Sequence, residues 1–182
     1  MNDRLTKITL LLTIGLLLFL VVRLQILTTK ISSSGSSGQK TEELAKPLGE
    51  VGINRTFEFS FKDPQNKPIN LKFTLLSAKK VRLVATKGEP IESPTGKEFL
   101  VLSLELQNDS KYPLKVNSQD FVRLVGENEK KFAADFYNGS LDVSAISVKR
   151  DEMAFMVPKD TNNFKLLVGE IDKEKQEVEI NF

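Results

Sequence analysis

Carboxylates are the main groups left for acid–base chemistry in this chain, because it contains neither histidine nor cysteine. Without cysteine there is no thiolate nucleophile, no disulfide framework, no thiolate metal site and no lipid-modified cysteine behind an apolar leader. Without histidine the commonest general base and the commonest transition-metal ligand are missing. Acids stand close together at Asp151–Glu152 and Glu42–Glu43, and Asp135 lies near a loop. Neighbours in a strand point to opposite faces, so Asp151 and Glu152 are poorly placed to share one substrate. A calcium loop needs oxygens at D-x-D-x-D-G spacing, and no such run exists. The residues therefore point to a protein without a catalytic set, metal site or cofactor. A site assembled from distant loop carboxylates stays open as the alternative, in an ion- or ligand-binding domain.

Charge narrows the partners. The formal net charge of +2 over 182 residues is unevenly spread. Residues 1–30 hold Arg4, Lys7, Arg23 and Lys30 against Asp3, which leaves 22 basic and 23 acidic residues in the remainder. A nearly neutral body with interspersed signs lacks the electrostatic footprint of a nucleic-acid binder. Lys79, Lys80 and Arg82 form the densest basic patch, at the density of a solvated strand or turn.

The elements that carry these residues begin with a leader. Residues 8–22 (ITLLLTIGLLLFLVV) are apolar, a length that suits a signal-peptide core. Extended to Leu27 the run gives ~20 residues, enough helix to cross a bilayer, with Arg23 near the far end, where it can snorkel. Arg4 and Lys7 precede the run and favour a cytoplasmic N-terminus. No alanine lies between the run and Ala45, so the usual A-x-A cleavage pattern is missing. The favoured reading is an uncleaved signal-anchor helix over residues 1–30. The competing outcome is cleavage in the Ser/Gly stretch and a freely secreted domain. Residues 31–50, beginning ISSSGSSGQK, read as a flexible tether. Either way, residues 51–182 form an extracytoplasmic head.

Past Val51 the hydrophobic period is two. Phe57, Phe59 and Phe61 alternate with polar residues, and residues 63–68 (DPQNKP) are dense in turn formers. Ile69, Leu71, Phe73 and Leu75 alternate next, and residues 81–85 extend that strand after a bend near 77–80. Residues 86–96 (TKGEPIESPTG) read as a loop. The most regular stretch is KEFLVLSLELQN, residues 97–108, with Leu100, Leu102, Leu104 and Leu106 on one face. Residues 114–116 are a short edge candidate. Residues 121–125 and 130–134 flank GENE in a hairpin, and 136–140 read as a loop. Residues 143–148 and 152–157 flank KRD in a second expected hairpin. Phe164, Leu166 and Val168, then Val178, Ile180 and Phe182, give the last two strands. Seven to nine short strands without helical periodicity argue for an all-β, antiparallel β-sandwich, with a small barrel as the competing architecture.

The order of these pieces resembles a known family. GKEFLVLSLELQND is similar to the G-x-x-hydrophobic-V-x-L-x-L-x-N strand of the telokin-like family of exported immunoglobulin-like domains, labelled DUF4352. DFVRLVGENEKKF resembles the family's hairpin, and VSAISVKRDEMAFMVPKDTNNFKLLVG its ending. The likeness covers roughly residues 57–182. It implies an immunoglobulin-like β-sandwich, secreted or tethered at a surface, with no established catalytic residues. Members often carry a lipobox cysteine, and a glycine where this chain has KRD.

Phe99 and Val101 face away from the leucine row, and Tyr112, Phe136 and Tyr137 sit in adjoining loops. Together these five are a candidate interaction surface for a surface protein or wall component. The competing reading makes them a second layer of core, covered by residues 86–96 or by the tether. Three sequons occur, at Asn54, Asn108 and Asn138, and Asn138 lies in a loop where a glycan could be attached. The functional expectation is a non-enzymatic binding or assembly module, anchored in the membrane by its N-terminal helix.

Overall fold

The computed structural model of the chain describes residues 46–182, Lys87 excepted. The expected anchor over residues 1–30 and most of the tether lie outside the described residues. The head is an all-β sandwich. Its strands are β1 (Gly49–Lys62), β2 (Pro68–Val81), β3 (Leu83–Thr86), β4 (Glu89–Glu92), β5 (Lys97–Asn108), β6 (Leu114–Asn117) and β7 (Val122–Val125). After them come β8 (Lys131–Phe132), β9 (Phe136–Tyr137), β10 (Ser140–Val143), β11 (Ser147–Pro158), β12 (Asn163–Val168) and β13 (Gln176–Asn181). One sheet has the order β1-β2-β5-β11-β9 and the other β13-β12-β7-β8, with the pairs β10-β6 and β3-β4 beside them. All registered pairs are antiparallel.

Strand β5 lies in the middle of the larger sheet and forms as the leucine period dictates. Leu100, Leu102, Leu104 and Leu106 are fully buried on its inner face. They pack with Phe73 and Leu75 of β2, Met153 and Phe155 of β11, and Leu166 and Ile180 of the facing sheet. The turn before β2 forms because the Asp63 carboxylate accepts from the backbone N–H of Gln65 (2.8 Å) and Lys67 (2.7 Å). A bulge between Leu75 and Ser77 lets β2 continue to Val81, and the strand path breaks only at Arg82.

Four expectations change. Strand β1 starts at Gly49, inside the segment expected as tether, with Leu48 N–H already bonded to Lys80 O. Residues 86–96 are not simply a loop, since Glu89–Glu92 pairs with Leu83–Thr86 and Gly88 (φ 83°) supplies the left-handed turn. Phe136–Tyr137 and Ser140–Val143 are short strands where a loop was expected. The KRD hairpin does not exist. Strand β11 runs unbroken through Lys149, Arg150 and Asp151, paired residue for residue with β5 from Asn108 to Lys97. A polar triplet is tolerated there because Arg150 points outward beside Glu105 (3.7 Å), while the inward Asp151 finds local partners described below.

The outer face of β5 is also buried in part. Phe99 and Val101 pack with Val81 and Ala154 beneath Val84 and Ile91 of the β3–β4 hairpin, and Phe136 closes edge-to-face on Phe99 at 5.4 Å. At that end of the sheet the inner face holds a buried ion pair. Lys80 and Glu98 are 7% and 4% exposed, with Nζ 3.1 Å from Oε2. The ammonium donates to Lys159 O (3.1 Å), Thr161 O (3.0 Å) and Asn162 Oδ1 (3.2 Å), and the Phe182 ring lies 6.0 Å away. All three of its hydrogens thus go to neutral oxygens, and Glu98 Oε2 balances the charge without a directed hydrogen bond. Lys80 ties the 159–162 turn to the larger sheet.

Removing one partner strands the other's charge in an apolar setting. Lys80→Met is expected to lower stability by about 3–5 kcal/mol. Lys80→Met with Glu98→Leu is expected to recover most of that loss, read from urea-denaturation midpoints.

Candidate functional site

The five residues expected to form one interaction surface do not. Phe99 and Val101 are 0% and 4% exposed, so the second-layer reading holds for them and their surface role is corrected. The cause is the β3–β4 hairpin, which covers what would otherwise be wet sheet. Phe136 is half-buried and Tyr137 exposed, beside a cleft of about 90 Å³ that also touches Thr86 and Asn138. Tyr112 lies at the opposite end of β5, its hydroxyl donating to Gln65 Oε1 (3.0 Å). Asn138 is exposed, but its Nδ2, the atom a glycan would take, donates to Asp151 Oδ1 at 2.7 Å. Asn108 is fully buried and donates to the carbonyls of Tyr112, Val143 and Ser144.

The loop carboxylates have structural partners. Asp151 accepts from Asn138 and from the N–H of Glu152 (2.9 Å). Asp135 donates its own N–H to Ala154 O (2.9 Å) and accepts from Met156 N–H through Oδ2 (2.7 Å). Residues 152, 154, 156 and 158 present their backbone to the same side of β11. Along that edge Glu152 and Met156 have their N–H groups capped by carboxylates. Ala154 is paired with Phe136 of β9, and Pro158 has no N–H to offer. The N–H groups that a further strand would need along this part of the edge are taken or absent. Asp151 and Glu152 do point apart, Glu152 meeting Lys79 Nζ at 3.0 Å on the outer face. Among the described residues no group of three or more acids converges as a metal site would require.

Between this capped edge and the β7–β8 hairpin lies a groove of about 750 Å³. Leu124, Phe155, Val157 and Phe164 form its floor, reaching down to the sandwich core. Lys97, Lys130, Glu127, Asp135, Asn128, Thr161 and Asn163 ring it. Phe132 lies at the mouth, 49% exposed, on a strand of two residues. Its ring rests on Gly126, where an added Cβ would come within 2.5 Å of it. A larger residue at 126 would displace the Phe132 ring from this position. Asn128 and Glu129 at the hairpin tip adopt φ 56° and 57°, and Asn128 is part of the groove's rim. An apolar floor with a polar rim is the make-up of a ligand-binding cleft. The sequence located this hairpin but not its role. The available signal was Phe132, a lone aromatic in the polar run EKKFAAD behind a glycine turn.

Shifted ionisations lie elsewhere on the surface. Asp109 sits below the usual carboxylate range because the Gln107 amide and then the Lys72 ammonium donate to it, at 2.7 and 2.9 Å. The same Asp109 contact raises Lys72. Glu129 and Glu177 raise Lys165, whereas burial, with Arg123 and Lys131 nearby, lowers Lys175. A depressed carboxyl adds stability above its unfolded value and loses it as pH falls through the folded one. Gln107→Ala and Lys72→Met are each expected to raise the Asp109 pKa toward the usual carboxylate value, followed by NMR titration of the carboxyl. Asp135→Ala is expected to cost about 0.5–1.5 kcal/mol, the net worth of one hydrogen bond at an exposed edge, read from chemical denaturation.

No curated protein matches the chain in sequence. Among solved structures it is similar to a conserved hypothetical protein from Bacillus anthracis, at 19% identity and TM-score 0.49 over 73% of this chain and 98% of that one. It is also similar to an uncharacterized beta-sandwich protein from Clostridium difficile 630, at 12% identity and TM-score 0.46 over 74% and 99%. A functionally unknown protein from Listeria monocytogenes is similar at 12% identity and TM-score 0.47, over 78% and 90%. The family model described as Domain of unknown function (DUF4352) matches residues 64–178. With more than half of its length matched, the chain belongs to the DUF4352 family.

Proposed function

We propose that this protein is a non-enzymatic binding or assembly module on the outer side of a cell membrane. A single N-terminal helix within residues 1–30 holds it there, and an immunoglobulin-like head works as the binding part. The observation that carries the binding reading is the groove beside β11, with its apolar floor and polar rim. Of the two acids on its rim, Glu127 and Asp135, the second is committed to the Met156 N–H, which favours binding over acid–base turnover. Support for the anchor is the apolar run over residues 8–22, with Arg4 and Lys7 before it. The partner is a surface protein or a wall component, and the membrane is contacted through the helix.

The test uses the full chain in its own cells, with a photo-crosslinking residue at Asn128 in the groove and, separately, at Thr74 on the open sheet face. The expected result is the full-length mass in carbonate-washed membranes, a head degraded by external protease, and an adduct formed from position 128 but not from 74. A mass lacking the first ~30 residues, found in the medium, overturns the anchor. Equal or absent adducts at the two positions overturn the groove as the binding site.

A further inference from the structure

The groove's own chemistry narrows its ligand. We propose that it binds a neutral glycan chain, with the Phe132 ring as a platform for one sugar face; this rests on the groove being the binding site.

Four observations converge. An extended peptide draws affinity from main-chain pairing with a sheet edge. Here that edge is closed at Glu152 and Met156 by carboxylates and at Pro158 by the lack of an N–H. A ligand along β11 therefore finds few free N–H groups and is read mainly by side chains. Lys97 and Lys130 are offset by Glu127 and Asp135, so the rim has no net sign with which to select an anionic polymer or a cationic segment. The rim's neutral groups, Asn128, Thr161 and Asn163, offer both donors and acceptors, as a hydroxyl requires. The fourth observation is Phe132 itself. A half-exposed aromatic on a two-residue strand has one edge of its ring against the Gly126 backbone, at the mouth of the groove. A pyranose is amphipathic, with C–H groups on its faces and hydroxyls around its edge. Its face fits the Phe132 ring while its edge meets the amide and hydroxyl rim.

The test applies the full chain, in a zwitterionic detergent without a sugar headgroup, to an array of immobilised neutral polysaccharides. The array holds β-1,4-linked N-acetylglucosamine, β-1,3- and β-1,4-glucan, α-1,4-glucan, mannan and galactan, with an anionic polymer and extended peptides as comparators. Saturable retention on at least one neutral polymer is expected, competed by its soluble hexamer. Phe132→Ala should weaken that retention at least tenfold with the melting temperature little changed. Gly126→Ala should weaken it as well, because the added methyl displaces the ring while the aromatic is still present. Retention on no neutral polymer overturns the proposal, as does neutral-polymer retention that both variants leave intact. If glycans fail but the adduct at position 128 persists, the ligand class is wrong and the groove reading stands. Preferential capture by the peptides or the anionic polymer overturns the glycan in the same way.

Discussion

The rest of the head depends on one constraint: β5 is buried on both faces. Its inner leucines require a facing sheet, which β12, β13 and β7 supply. Its outer Phe99 and Val101 require a second cover, supplied by the β3–β4 hairpin and Phe136. A strand so placed is kept in register by both neighbours, since a slip of one residue would exchange its two apolar sets. The outer set is short, and beyond Val101 the same face turns to Ser103, Glu105 and Gln107, where no element among the described residues covers it. Lys79 with Glu152 and Lys72 with Asp109 pair across this open part, at exposures where such contacts add little stability. The dry patch under the hairpin and the wet remainder of the sheet thus follow from a single change of residue type along one strand.

A large part of this was legible in the sequence, because the period of two is a local signal. The bounds of β5 and the Asp63 turn follow from residues a few positions apart. What was not legible depends on distant partners. Lys149-Arg150-Asp151 has the composition of a turn, and it remains strand only because β5 offers backbone partners for all twelve residues of β11. Asp151 is tolerated on the inner face because Asn138, thirteen positions away, donates to it. The pattern at Phe99 and Val101 fits both a surface and a second core layer. The choice belongs to the β3–β4 hairpin, whose Pro90 and Gly88 made it read as a loop. The groove was invisible for the same reason, since its walls come from β7, β8, β11 and the turn after it.

The two sides of the sandwich are finished differently, and the difference bears on function. On one side the edge strands β1 and β13 are joined. Arg55 donates to Glu177 O (2.7 Å) and Gln176 Oε1 (3.0 Å), its guanidinium 5.3 Å from the centre of the Phe57 ring. Phe59 stacks on Phe121 at 4.4 Å, filling the space between the layers. On the other side β8 and β9 have two residues each, too few to bridge the layers. The groove is the gap they leave.

An unfinished side exposes amides that invite a further strand, which is the route to aggregation or strand exchange. In this head the exposure has been met by Asp135, Asp151 and Pro158, which cap or remove N–H groups of β11 that β9 does not reach. Capping those groups while leaving the gap open separates two properties that usually travel together. The edge no longer attracts backbone, yet the apolar floor stays within reach of a ligand. A sandwich needing only stability would close the gap with a longer β8, as it closes the opposite side with β1. Keeping β8 short also leaves Phe132 half exposed, with one edge of its ring against Gly126. The capped edge, the short strand and the glycine against Phe132 are three local departures from an ordinary closed sandwich, and all three border the same groove.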